Sequence, residues 1–233
     1  MAEFAEASYI LNDKKLNKTQ RIDKANSTLA KKGYKVHEAS NRDVQLFVQP
    51  GEGDYPGHAV IAHRGTDFGG RKIAKDVKAD LAYMAGKEGE YTKQFQQRAN
   101  KTKALLKEID PDTHLTMVGH SYGGASVNHT LLKEPAVRDR VDNVHLYNPL
   151  LHHAGDSKVH TKRGEKKADV NDQLNSLITI HRTKNDVASA SKPQHGKVKN
   201  YKQKVHSTKK TNPFRDVFDK VEQLSAHSLK NFI

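Results

Sequence analysis

Apolar and polar residues alternate with two different periods in the first part of the chain. Apolar residues at helical spacing predict a short helix at residues 4–11 and a second at residues 19–30, which ends at Gly33. We interpret residues 1–33 as a helical packing segment within the fold. Alternation with period two and short buried runs then predict three strands, at residues 34–38, 43–48 and 58–63.

From residue 73 onward, predicted helices and strands follow one another. The helices are predicted at residues 73–84, 91–109, 122–133 and 217–224, and the strands at residues 115–118, 141–147 and 174–182. This alternation is typical of a mostly parallel twisted sheet with helices on both faces, the α/β class. The length of 233 residues fits one domain covering residues 1–233. Two polar stretches without periodicity are predicted to be surface loops, at residues 150–172 and 192–210.

A Gly-x-Ser-x-Gly sequence centred on Ser121 lies where a predicted strand passes into a helix. In such a nucleophile elbow, a strained turn exposes a serine hydroxyl above the sheet, and small neighbours let the backbones pass closely. The following helix directs its N–H groups and its dipole at the serine oxygen, which favours developing negative charge there. An ordinary glycine-rich turn could have the same five residues. Other parts of the sequence are therefore needed to distinguish a nucleophile elbow from such a turn.

The strand predicted at residues 58–63 ends in Arg64, Gly65 and Thr66. Ligands of open α/β sheets bind at the carboxyl ends of the strands, so we expect Thr66 at the same edge as the elbow. In hydrolases with such an elbow, a loop after an early strand supplies one oxyanion donor. We therefore assign the oxyanion hole to the backbone N–H groups of Thr66 and Tyr122. A plain turn with an exposed threonine is the alternative.

Ser121, Asp186 and His227 occur in the order in which an α/β-hydrolase triad follows the chain. Asp186 comes after the strand predicted at residues 174–182, and His227 lies six residues before the last one, Ile233. Ser121 would be the nucleophile, and His227 would take its proton and return it to the leaving alcohol. Asp186 would fix the imidazole tautomer and stabilise its positive form.

Other residues of the same types are disfavoured for these roles by their places in the pattern. Asp169 and Asp172 precede the late strand and would lie at the opposite edge of a parallel sheet. His63 lies on a predicted strand, and His120 adjoins the nucleophile but points elsewhere on the turn, so neither is favoured as the base.

Four segments together resemble the class 3 lipase family of α/β-hydrolases, in the order of that family. They are residues 60–66 (Val-Ile-Ala-His-Arg-Gly-Thr), residues 119–124 (Gly-His-Ser-Tyr-Gly-Gly), the strand that ends at Asp186, and residues 227–229 (His-Ser-Leu). The resemblance extends from residue 34 to the C-terminus and implies an α/β-hydrolase domain. It also implies Ser121 as the nucleophile, Asp186 as the acid, His227 as the base and Thr66 as the oxyanion residue.

The same resemblance implies three further features. A lid would follow the Arg-Gly-Thr turn, at residues 67–75. Arg64 would be structural, with Asp80 as its buried partner. The substrates would be glycerolipid esters.

The formal net charge is +13, from 40 lysines and arginines against 27 acids. Many basic residues are concentrated in the two predicted loops, at positions Lys158, Lys162, Arg163, Lys166 and Lys167 and in the seven lysines of residues 192–210. They could be solvated loops that keep the protein soluble, or they could attract anionic phospholipid in a peripheral contact. Nucleic acid is a less favoured partner, because no helix-turn-helix, zinc or RNA-binding pattern accompanies the charge.

Composition excludes several other classes. The chain has no cysteine, so disulfides cannot stabilise it. No basic and then apolar leader is seen, and no apolar run approaches the roughly 20 residues of a membrane span. We therefore expect a soluble, intracellular protein. Four histidines match no common zinc spacing, and neither a metal nor an organic cofactor is expected; they are His145, His152, His153 and His160.

The sequence thus predicts a serine carboxylic-ester hydrolase of lipase type. It would cleave glycerolipid or phospholipid esters, or a small soluble ester, through an acyl-enzyme on Ser121. One alternative is a catalytically silent basic module that binds anionic membranes or nucleic acid. Another is an acyl hydrolase for a peptide or thioester. The oligomeric state is left open.

Overall fold

A seven-stranded sheet organises the part of the chain that the computed structural model describes, residues 1–66, 90–150, 159–183 and 195–201. The strands follow chain order across the sheet: β1 (Lys35–Val36), β2 (Val44–Gln49), β3 (His58–His63), β4 (His114–His120), β5 (Asn143–Tyr147), β6 (Ile178–Thr183) and β7 (Lys197–Tyr201). The pairs β1–β2 and β2–β3 are antiparallel, and the pairs from β3 to β7 are parallel. The protein is therefore a mixed α/β structure.

The described helices cover both faces of the sheet. They are α1 (Ala2–Ile10), α2 (Lys18–Leu29), α3 (Glu90–Leu106), α4 (Tyr122–Lys133), α5 (Pro135–Arg138) and α6 (Lys167–Leu177). On one face, apolar residues of α3, α4 and α6 pack against every second residue of β2 to β6. On the other face, α1 and α2 pack against the alternate residues of β2, β3 and β4. Each central strand is thus buried on both sides, as its apolar sequence requires.

Local sequence signals explain where the second helix begins and where the segment after it turns. The Asn17 side chain accepts a hydrogen bond from the Gln20 N–H, and the Gln20 side chain accepts one from the Asn17 N–H. This capping box satisfies two N–H groups that the helix itself cannot use. Gly33 ends the short 3-10 turn at residues 30–32 with φ 74°, a left-handed conformation that suits glycine.

The register of the central strands places the loops that follow them side by side. His63 at the end of β3 pairs with Gly119, and His120 at the end of β4 pairs with Tyr147. The next residues along each strand are Arg64, Ser121 and Asn148. The loops that contain them therefore meet at one edge of the sheet.

Three predicted segments differ from the structure. The stretch 150–172 was expected to be a loop and 174–182 a strand, but α6 occupies Lys167–Leu177 and β6 begins at Ile178. Val170 and Leu174 are one helical turn apart and bury the same side of α6. These two apolar positions are the only sequence signal for the helix in an otherwise polar segment. The stretch 192–210 is predicted to be a loop, yet it contains β7. Residues 197–200 of this strand are exposed and mostly polar, so they lack the apolar pattern from which a buried strand is predicted.

Three predicted features lie outside the described residues: the helices at 73–84 and 217–224 and the lid at 67–75. Among the helices that the structure describes, none combines the length and the apolar character needed to cross a membrane.

Candidate active site

The turn that carries Ser121 is a single residue long. β4 ends at His120 and α4 begins at Tyr122, so the strand, turn and helix predicted around the motif are present. Ser121 has φ 54° and ψ −123°, a conformation that side-chain-bearing residues rarely adopt. Such backbone strain costs on the order of 1–3 kcal/mol and persists only where the surrounding structure imposes it.

Three backbone hydrogen bonds hold Ser121 in this conformation. Its N–H donates to the Tyr147 carbonyl oxygen at 3.0 Å. Its carbonyl oxygen accepts from the N–H of Ala125 at 3.2 Å and from that of Leu150 at 3.1 Å. The strained residue is therefore attached to β5, to the loop after β5 and to the first turn of α4. With these attachments the backbone cannot relax without breaking hydrogen bonds.

The glycines around Ser121 let three backbones approach closely. A β-carbon on Gly119 would lie 2.6 Å from the carbonyl carbon and oxygen of Gly123. A β-carbon on Gly123 would overlap the His63 carbonyl oxygen, and one on Gly124 would lie 2.8 Å from the Pro149 side chain. Each motif glycine is thus required by a contact, which an ordinary glycine-rich turn would not need.

The turn after β3 packs directly against the turn of Ser121. A β-carbon on Gly65 would lie 2.7 Å from the His120 carbonyl oxygen, and one on Gly123 would lie 2.8 Å from the Arg64 carbonyl carbon. Thr66, which follows, is 3% exposed. The structure therefore brings the predicted oxyanion loop and the predicted nucleophile turn into backbone contact.

An ionic cluster of Asp43, Arg64 and Arg98 holds the Arg64–Thr66 turn in place. Arg64 Nη2 lies 3.0 Å from Asp43 Oδ1, and Arg98 Nη2 lies 3.6 Å from the same oxygen. Arg98 Nη1 donates to the Arg64 carbonyl oxygen at 2.6 Å. Burial would raise the pKa of Asp43, but the charges of Arg98 and Arg64 outweigh it and hold that pKa below its ordinary value. The cluster therefore remains charged at neutral pH.

Arg64 was expected to pair with Asp80. Its observed partner is Asp43, and Asp80 lies outside the described residues. The two other guanidinium nitrogens, Nε and Nη1, are buried and have no hydrogen-bond partner among the described residues. The pairing of Arg64 with Asp80 stays a prediction.

Tyr122 directs its side chain away from the turn and into the helices. Its hydroxyl donates to Gln94 Oε1 at 3.1 Å, and its ring centroid lies 4.8 Å from that of Phe95 and 5.1 Å from Arg98 Cζ. Its backbone N–H is at the first position of α4, the positive end of the helix dipole. The backbone of Tyr122, and not its phenol, thus faces the nucleophile turn.

His63 and His120, the latter within the Gly-x-Ser-x-Gly motif, both have hydrogen-bond partners in the fold. His63 Nδ1 lies 3.0 Å from Ser126 Oγ, and its Nε2 lies 2.8 Å from Thr102 Oγ1. Burial lowers the pKa of His63 well below its ordinary value, and it lowers that of His120 to about 3. A base works best when its pKa is near the working pH, so neither histidine suits that role.

Of the predicted site residues, the structure describes Ser121, Thr66 and Tyr122, and it brings their turns together. Asp186 and His227 lie outside the described residues. Sequence reasoning missed Asp43 and Arg98, which hold the Arg64–Thr66 turn in place. No local pattern could have revealed them, because each acts on a residue at least 21 positions away along the chain.

The described residues contain no candidate metal site. No three His, Cys, Asp or Glu side chains there come close enough to share an ion. Among the four histidines considered from the sequence, His145 hydrogen-bonds to His181 at 2.9 Å and His160 is exposed. His152 and His153 lie outside the described residues.

The chain has few detectable similarities to known proteins. The chain matches no protein-family model and no curated protein, so the resemblance to class 3 lipases rests on the four segments alone. Among solved structures it is similar to the extracellular lipase LipA from Serratia marcescens, with a TM-score of 0.46 and 16% sequence identity. The similarity covers 76% of this chain and 31% of the lipase chain.

Proposed function

We propose that the protein is a serine carboxylic-ester hydrolase of lipase type that works through an acyl-enzyme on Ser121. One observation carries this proposal: the backbone strain at Ser121, φ 54° and ψ −123°, between a buried strand and a buried helix. Strain of this kind clusters at functional sites, and three glycines with steric reasons to be glycine surround it. A serine held in this way at a helix N-terminus is suited to nucleophilic attack.

The proposed reaction has two halves. Ser121 Oγ attacks the ester carbonyl carbon while His227 Nε2 takes its proton, and the alcohol then leaves with that proton. Water attacks the acyl-enzyme in the same manner and releases the acid. Asp186 would accept a hydrogen bond from the other imidazole nitrogen of His227 and stabilise its charged form. The roles of Asp186 and His227 rest on their order along the chain.

Negative charge on the carbonyl oxygen would be stabilised by the N–H groups of Thr66 and Tyr122, with the Thr66 hydroxyl nearby. Removing one such donor slows a hydrolase by about 10²–10³ in kcat. Donors have this effect only when they are fixed before the reaction. The ionic cluster of Asp43, Arg64 and Arg98 and the buried His63 support the assignment, because they hold the Arg64–Thr66 turn rigidly.

The proposed substrate class is a glycerolipid or phospholipid ester. Its support is the surface charge: Lys162, Arg163, Lys166 and Lys167 are all exposed, as are Lys197 and Lys199 on β7. Each basic side chain near an anionic membrane contributes about 1 kcal/mol of attraction. We propose that these residues make a peripheral contact with anionic lipid surfaces.

Ester turnover by substituted proteins tests the proposal. Ser121→Ala should abolish cleavage of nitrophenyl esters while the circular dichroism spectrum stays unchanged. Asp186→Asn should lower kcat by about 10⁴, as loss of the correct imidazole tautomer does. Wild-type protein that cleaves no ester in a series of chain lengths, yet binds anionic vesicles or DNA, would support the catalytically silent module instead. A Ser121→Ala protein as active as the wild type would end the proposal.

A further inference from the structure

Tyr9 of α1 reaches the turn of Ser121, although α1 packs outside the sheet. Its hydroxyl oxygen lies 2.9 Å from His120 Nδ1, and the two rings meet edge to face with centroids 5.9 Å apart. His120 directly precedes Ser121 in the chain. A hydrogen bond between residues 111 positions apart therefore connects the first helix to the nucleophile turn.

The same hydroxyl also packs against the proposed oxyanion loop. A β-carbon on Gly65 would overlap the Tyr9 hydroxyl and would lie 2.7 Å from the His120 carbonyl oxygen. Gly65 is followed by Thr66, a proposed oxyanion donor. One phenol oxygen thus touches both turns whose N–H groups would form the oxyanion hole.

Other residues of α1 anchor the helix without Tyr9. Ala2, Ala5, Ala7 and Ser8 are buried, and their small size brings α1 close to the sheet. Phe4 is 1% exposed, with its ring centroid 4.8 Å from that of Tyr34 and 5.5 Å from that of Phe47. The hydroxyl of Tyr9 is therefore not needed to attach the helix.

We propose that Tyr9 is a positioning residue of the active site, whose hydroxyl sets the spacing between the Arg64–Thr66 turn and the Ser121 turn. This inference rests on the hydrolase function proposed above. His120 is neutral at ordinary pH because burial lowers its pKa to about 3. The link between Tyr9 and His120 thus joins two uncharged groups and persists over the pH range in which an esterase is assayed.

Tyr9→Phe keeps the ring and both proposed oxyanion donors and removes only the hydroxyl. Since loss of a whole donor lowers kcat by about 10²–10³, a loosened donor should lower it by about tenfold. KM should stay within about twofold, because an interaction that matters only in the transition state changes kcat and leaves ester binding unchanged. A role limited to stability would leave kcat of the folded protein at the wild-type value.

Tyr34→Phe is the matched control. Tyr34 also hydrogen-bonds through its hydroxyl to a histidine Nδ1, that of His58. Tyr34 is buried and Tyr9 is half-buried. His58 begins β3, whereas the active-site turn follows the last residue of that strand. Both substitutions remove one phenol–imidazole hydrogen bond, but only one of them lies at the proposed site.

The experiment measures kcat and KM of the full chain for p-nitrophenyl butyrate, together with the melting temperature of each variant. Tyr9→Phe is expected to lose about tenfold in kcat, and Tyr34→Phe is expected to match the wild type. Gly65→Ala disturbs the same junction of the two turns, since its methyl group would meet both the Tyr9 hydroxyl and the His120 carbonyl oxygen. It should also lower kcat with little change in KM.

Three results would overturn the inference. If the wild type is active, Ser121→Ala is inactive and Tyr9→Phe matches the wild type in kcat, only the positioning role fails. A Tyr9→Phe defect that appears in KM alone has the same meaning. If wild type and Ser121→Ala do not differ, the hydrolase proposal itself fails and the role of Tyr9 fails with it.

Discussion

At the scale of single residues, Ser121 has a strained backbone conformation and a proposed catalytic function. Its backbone conformation is one that glycine adopts freely and serine does not. The hydrogen bond that its N–H donates to Tyr147, and those that its carbonyl oxygen accepts from Leu150 and Ala125, stabilise it against relaxation. A residue kept in this state should be replaceable by one that makes the protein more stable and less active.

Ser121→Gly should therefore unfold at a higher temperature than Ser121→Ala. Relief of about 1–3 kcal/mol of strain is offset in part by the greater flexibility of glycine in the unfolded chain, about 0.5–1 kcal/mol. A net gain of about 1 kcal/mol raises the melting temperature by about 2–4 °C in a protein of this size. Both variants lack the hydroxyl, so calorimetry compares backbone strain and chain flexibility without any contribution from the hydroxyl. Equal or lower melting of Ser121→Gly would contradict the strained assignment.

The parts of the site that the sequence predicted are those encoded within a few residues. The Gly-x-Ser-x-Gly spacing predicts the turn at Ser121 because its steric demands are local. The support from Asp43, Arg98 and Tyr9 was not predicted, because each becomes a neighbour of the site only when distant segments pack together. Asp186 and His227 were assigned from chain order and stay predictions.

At the scale of elements, a chain of aromatic side chains links the last three strands. His145 Nδ1 on β5 lies 2.9 Å from His181 Nε2 on β6, and His181 Nδ1 lies 2.8 Å from the Tyr201 hydroxyl on β7. The ring of Tyr147 stacks on that of His181, with centroids 4.5 Å apart. These contacts attach β7, whose other residues are mostly exposed.

Tyr201→Phe should loosen β7 without disturbing the strand before Ser121. A neutral hydrogen bond contributes about 1 kcal/mol, so amide hydrogen exchange at residues 197–201 should quicken about fivefold. Exchange in β4 should not change. Tyr55→Phe serves as a control, since it removes an exposed phenol whose partner is 3.4 Å away. Unchanged exchange in β7, or equal effects of the two variants, would contradict this role of Tyr201.

Elements with apolar patterns were predicted well, and elements without them were not. β2, β3 and β4 follow the predicted positions because their side chains are buried on both faces of the sheet. β7 carries almost no apolar residues, and it forms by backbone pairing with β6 and by the Tyr201 link. α6 buries only Val170 and Leu174, too few for a clear helical period.

At the scale of the whole molecule, histidines held in the neutral form are a common feature of the described residues. Burial is the largest cause of a lowered pKa at six of them, His58, His63, His120, His145, His181 and His195. The pKa falls to about 4 at His145 and His181 and to about 3 at His120. The folded protein thus resists protonation that the unfolded chain accepts near pH 6.5.

The sign of the pH dependence follows from these directions. A histidine with a lowered folded pKa contributes its full stabilisation above about pH 6.5, and this contribution is lost as pH falls below that value. At pH 5.5, the buried His120, whose folded pKa is about 3, should lower the free energy of unfolding by about 1.4 kcal/mol, and the buried His63 should act in the same direction. Urea titrations at pH 7.5 and pH 5.5 measure the loss.

Salt distinguishes this cause from the high net charge. Repulsion among the charges that give +13 would be screened by 0.5 M sodium chloride. The cost of burying a protonated histidine would persist in the same salt. A free energy of unfolding that is equal at the two pH values, or a difference that disappears in salt, would contradict the role of the buried histidines.

Mass spectrometry of the intact chain after treatment with a fluorophosphonate tests the proposed role of Ser121 as nucleophile. We expect one covalent adduct, located at Ser121 by peptide fragmentation, that does not form on the Ser121→Ala protein. Folded wild-type protein without an adduct, or an adduct on another serine that persists in Ser121→Ala, would contradict the assignment of Ser121 as the nucleophile.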